Sequence, residues 1–150
     1  MDYHYSKILT LGFDQAVEKV TEELQKEGFG VLTEIDIQAT FKKKLDVDFK
    51  KYKILGACNP TFAHQAIQAE DKIGVFLPCN VIVQEHDDQK VEISAVSPKA
   101  SMMAVGNSDL LSMADNQRET VIDRAFALAS NDNFEILEAF DDEDFNDTAF

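Results

Sequence analysis

The chain has 150 residues, of which 45% are hydrophobic and 28% charged, and it carries a formal net charge of -14. That length suits one domain with a core of its own, and the composition is that of a globular protein. So large an excess of acid excludes general nucleic-acid binding, which needs clustered cations against phosphate. No apolar run approaches the ~20 residues of a membrane helix, so no membrane role is expected. The opening MDYHYSKILTLGF lacks the basic start, long apolar stretch and small-residue cleavage site of a secretory leader. A cytoplasmic location is therefore expected, where two cysteines stay as thiols.

YHYSKILTL alternates loosely and reads as a strand. FDQAVEKVTEELQKEG then places Phe13, Val17, Val20 and Leu24 at steps of three and four, an amphipathic helix that Gly28 stops. FGVLTEIDI is the next strand, with Val31, Thr33 and Ile35 alternating against Leu32, Glu34 and Asp36. A short second helix sets Ile37, Phe41 and Leu45 four apart. Its surroundings, FKKKLDVDFKKYK, hold six lysines against two aspartates, a solvated basic face or a patch for an anion or for the acidic end of the chain.

YKILGAC is a third strand, and it runs into Asn59-Pro60, a strong helix start: the Asn side chain caps free N–H groups and proline is at ease in the first turn. The helix TFAHQAIQAE follows. VFLPCNVIVQEH is a long strand with Pro78 inside it, where a missing N–H predicts an edge or a bulge. DDQ turns it into KVEISAV, a hairpin. From about Ser108 to Leu128, apolar residues at helical spacing predict a long last helix. Residues 131–150 hold eight Asp or Glu and no Lys or Arg, which leaves 20 acidic against 14 basic residues before them. With little that could form a core, this stretch reads as a disordered acidic tail. The expected architecture is thus a single α+β domain over residues 1–130. Its order is β-α-β-α-β-α-β-β-α, with one mixed sheet and helices mainly on one face.

YKILGACNPTFAHQAIQAEDKIGVFLPCNVIVQE followed by VEISAVSP resembles the core of the bacterial and archaeal family called domain of unknown function 302. The similarity spans about residues 3–128, and GACNP with LPCN on a strand-helix-strand frame is its most specific part. The resemblance implies a compact α+β fold, often a homodimer, and brings no established reaction. Members resembling this chain often have Asp-Pro where it has Ser97-Pro98, and the acidic tail lies outside their pattern.

The two Cys-Asn pairs are the place where a site is expected. Cys58 closes a strand beside a helix N-terminus, where the dipole favours a thiolate. A strand-helix-strand crossover brings Cys79 to a neighbouring strand, and His64 lies one helical turn beyond Asn59. Cys58, Asn59, His64, Cys79 and Asn80 are therefore the candidate residues, for a small anionic ligand or a thiophilic metal such as zinc. A second reading has one thiolate in redox or sulfur-transfer chemistry and the other resolving it. A third makes the protein an interaction module, with Phe134, Phe140, Phe145 and Phe150 as anchors in the acidic tail. Against the first two, Asn59 is explained as a cap and the cysteines as small core residues; against the third, the acidic stretch is explained as a solubilising tail with no partner. No GxGxxG, P-loop, HExxH or GxSxG is present, and no carboxylates are singled out as an acid–base pair. His4 and His86 stand at no usual ligand spacing.

Overall fold

Side chains alternate between the two faces of a strand, and here that alternation separates core from site. The computed structural model describes residues 3–116 and 136–139. β1 (His4–Leu9) buries Tyr5 and Leu9 on one face and sends His4, Ser6 and Ile8 to the other. α1 (Phe13–Lys26) lays Phe13, Ala16, Val20 and Leu24 on the buried face. It ends in a Schellman turn: Gly28, at φ 85°, donates to Gln25 O, and Phe29 donates to Leu24 O.

β2 (Gly30–Asp36) passes directly into α2 (Ile37–Leu45), where Asp36 Oδ1 accepts from Ala39 N at 2.9 Å. None of the α2 side chains is fully buried, and the lysines are exposed as expected. β3 (Tyr52–Cys58) returns through the middle of the sheet. Asn59 Oδ1 then accepts from Phe62 N at 3.2 Å and opens α3 (Pro60–Ala69), as the sequence predicts. A 3-10 helix, Asp71–Phe76, and a cis Leu77–Pro78 peptide lead into β4 (Cys79–Glu85), which forms a hairpin with β5 (Val91–Val96). Pro78 thus precedes the strand instead of interrupting it: lacking an N–H, it cannot donate to the ladder that Cys79 begins. α4 (Pro98–Met103) and α5 (Ser108–Asn116) follow. The rest of the helix expected to reach Leu128 lies outside the described residues. Of the acidic segment, Ile136–Ala139 forms a strand, β6, and the remainder also lies outside them.

Among the described residues six strands are ordered β2-β3-β4-β5-β1-β6, and every pairing is antiparallel. This corrects the expected mixed sheet. β3 and β4 are neighbours, but Ala57 at the end of β3 faces Cys79 at the start of β4. α3 and the 3-10 helix therefore form an excursion that returns to the end of the sheet it left, where a crossover would have carried the chain to the far end.

Two apolar clusters result. The larger lies between α1 and the sheet and includes Leu55, Val81, Val83, Val91 and Ile93, all at most 2% exposed. Each such side chain contributes roughly 1.5–3 kcal/mol by leaving water. The smaller joins Phe62 and Ala66 of α3, Ile73, Met102 and Leu110 beyond one end of the sheet. It anchors the helical excursion, and so positions the segment that leads into β4.

Candidate functional site

The face of the sheet turned away from α1 is polar along three adjacent strands. Strand register builds rows across it: Tyr52, Gln84 and Glu92 form one, and Ile54, Ile82, Ser94 and Ser6 the next. Hydrogen bonds tie these rows together. Ser6 Oγ and Ser94 Oγ are 2.6 Å apart, and Ser6 Oγ lies 3.0 Å from His4 Nδ1. Gln84 Nε2 donates to Glu92 Oε1 at 3.1 Å, and His86 Nε2 lies 3.2 Å from the same oxygen.

Over this floor lies a groove of about 750 Å³, within the range of small-molecule sites. Val75, Phe76, Leu77 and Pro78 form one wall, and Tyr3 and Tyr52 bring aromatic rings to it. Tyr52 also belongs to a run of rings from α2: Phe41 and Phe49 have centroids 5.1 Å apart, and Phe49 and Tyr52 6.3 Å. Burial pushes the Tyr52 phenol above its ordinary value, and nearby Tyr3 and Glu92 add to the rise by disfavouring a phenolate. Among the described residues, the lining contains a carboxylate, Glu92, and no Lys or Arg. It can therefore hold an apolar or aromatic body against its walls and offer hydrogen-bonding groups from its floor.

Of the five sequence-derived candidates, only Asn80 lines this groove. Cys79 lies opposite Ala57 on the core face and is buried, whereas Cys58, one residue along, belongs to the other face and is partly exposed. Burial pushes the Cys79 thiol up to about 11, with nearby Cys58 adding to it. Asn59 is occupied as the α3 cap. His64 is exposed on α3, away from the groove lining. The strands thus bring the cysteines near one another but turn them apart. Among the described residues, no three His, Cys, Asp or Glu side chains gather in a set that could hold a metal ion. None of the described helices is long and apolar enough to cross a membrane.

Comparison with known proteins agrees with this architecture. The family described as "Domain of unknown function DUF302" matches residues 5–129, nearly all of the α+β domain. The chain belongs to that family. No curated protein matches it. The crystal structure of an uncharacterized conserved DUF302 protein from Bacillus stearothermophilus superposes with a TM-score of 0.74 at 25% identity. The match covers 87% of this chain and 98% of that one.

Within the DUF302 frame, Ser97 explains its own departure from Asp-Pro. Its side chain accepts from Ala100 N at 3.3 Å and caps α4 ahead of Pro98. Aspartate and serine are both good helix caps, so the position is accounted for without chemistry at a carboxylate. The groove residues that sequence reasoning missed do carry a signal. His4 and Ser6, Asn80 and Gln84, and Glu92 and Ser94 are polar residues two or four apart, in three strands whose intervening residues are largely apolar. Only their pairing reveals that these polar sets share one face.

Proposed function

We propose that this DUF302 member is a small-molecule-binding protein whose site is the groove on the polar face of the sheet. The observation that carries this reading is the hydrogen-bonded polar floor spanning β1, β4 and β5 beneath walls of Tyr52, Phe76 and Leu77. Asn80 is the point at which the sequence-derived site and the groove coincide. A thiol-dependent function receives less support, because Cys79 is buried on the opposite face from Cys58.

The test is a set of small organic fragments added to isotopically labelled protein, with amide shifts followed in the wild type and in Ser94→Phe, which fills the groove floor. Shifts clustered on β1, β4 and β5 in the wild type and lost in the variant support the reading. Shifts scattered elsewhere, or unaffected by the variant, overturn it.

A homodimer has its own support. Leu32, Ile35, Leu45, Val47 and Phe49 are exposed on β2, α2 and the loop after it, and among the described residues β2 is an edge strand. Apolar side chains gathered beside an unpaired edge favour a protein contact. Light scattering of the wild type and Leu32→Glu tests it: a dimer mass that falls to the monomer in the variant is the expected result.

A further inference from the structure

The lining of the groove restricts the chemistry of its occupant. Resting on the proposal that the groove is a binding site, we infer that its ligand is a small organic cation, an ammonium group carried on an apolar or aromatic body.

Charge is the first reason. Among the described lining residues Glu92 is the carboxylic acid, and no Lys or Arg accompanies it. Its Oε1 holds Gln84 and His86, which fixes the carboxylate in place and leaves Oε2 clear of those two contacts. The side chain is 24% exposed, so an incoming ammonium can reach it without complete loss of hydration. An anion placed here would meet a carboxylate, and the basic groups near it among the described residues are the imidazoles of His4 and His86, with no Lys or Arg in the lining. The anionic ligand expected from the helix N-terminus at Asn59 does not suit this groove.

Aromatic surface is the second reason. Phe76 is 45% exposed and Tyr3 71% exposed, so both present ring surface at the rim, while Tyr52 stands in the same row as Glu92. Rings around a carboxylate suit a cation, which gains from the electron-rich ring face as well as from the charge. Ile82, Val96 and Leu77 supply apolar surface for the body of the ligand. The chain's net charge of -14 adds a long-range field that attracts cations and repels anions.

Three probes of matched shape test this near neutral pH: phenethylamine, phenethyl alcohol and phenylacetate, each titrated calorimetrically into the full chain and followed by amide shifts. The expected result is groove binding of the amine at least about tenfold tighter than the alcohol, with phenylacetate weakest. Glu92→Gln should erase the amine's advantage over the alcohol. Raising salt from about 50 mM to about 500 mM should weaken the amine alone, a readout on the wild type that stands even where the variant does not fold. Equal binding of all three probes in the groove overturns the cation while the groove reading survives. Tighter binding of phenylacetate does the same. Binding of none of them at the groove overturns both.

Discussion

Cys79 lies directly opposite Ala57 on the neighbouring strand, so Cys58, one residue further along, points to the other side of the sheet. The two thiols are close in the chain's fold yet open onto different environments, the core for Cys79 and the partly exposed strand end for Cys58. Iodoacetamide on the native protein should therefore modify Cys58 alone, and mass spectrometry of peptides should find Cys79 labelled only in denaturant. Rapid labelling of both thiols in the folded state would contradict this arrangement.

Cys79 also sets an alkaline limit. Its thiol rises from an ordinary 9.0 to about 11 because burial disfavours the thiolate, and Cys58 adds to this. A raised pKa means that the contribution is fully present below the unfolded value and is lost as pH climbs through the folded one. The stability advantage of the wild type over Cys79→Ala should therefore shrink by roughly 2–3 kcal/mol between about pH 9 and pH 11. Urea unfolding of both proteins across that window measures it.

Glu23 gives the opposite sign at the acid end. It is fully buried, and its Oε1 meets Lys26 Nζ at 2.8 Å and Lys19 Nζ at 3.2 Å. Burial alone would raise its pKa, but the two lysines outweigh that and hold it below 4.5. Its contribution is thus present above the unfolded value and is lost as pH falls through the folded one. Glu23→Gln should cost about 1–2 kcal/mol near neutral pH, with the gap to wild type closing below about pH 4. Denaturant titrations at the two pH values check both parts.

Gly56 sits where β2, β3 and the approach to β4 crowd together. A Cβ there would collide with Thr33 Oγ1 and stand 2.8 Å from Pro78 Cγ. Gly56→Ala should destabilise by about 1–3 kcal/mol through overpacking, and adding Thr33→Ala should recover part of the loss. Chemical denaturation of the single and double variants tests the coupling.

Asn59 separates a structural role from a binding one. Asn59→Ala should cost about 1 kcal/mol as a lost helix cap, whereas Asn59→Asp keeps an acceptor for Phe62 N and should restore most of it. Fragment binding at the groove should be unchanged in both variants, as measured by the same amide shifts.

Much of the fold was legible because it rests on local rules. The steps of Phe13, Val17, Val20 and Leu24 specified α1, and Asn59-Pro60 specified the start of α3. Gly28 marked the left-handed stop between α1 and β2. The site was less legible. Cysteines beside asparagines drew attention to strand ends, while the polar residues of β1, β4 and β5 form no local motif. His4 and Val96 are 92 positions apart in the chain yet directly paired, and nothing local records that pairing.

The amino-acid order was sufficient for the elements from β1 to β5, the Gly28 stop, the Asn59 cap and the α+β class, because periodicity and turn chemistry act over a few residues. The 3-10 helix, α4 and β6 were not foreseen. Strand direction, the order β2-β3-β4-β5-β1-β6 and the groove belong to the assembled sheet. Pairing β1 against β5 joins distant segments and gathers His4, Ser6, Glu92 and Ser94 on one face. The antiparallel return of β4 beside β3 leaves Asn80 with that face and turns Cys79 into the core. A period of two settles which residues share a side of one strand; it takes register between strands to decide which sides become the same surface.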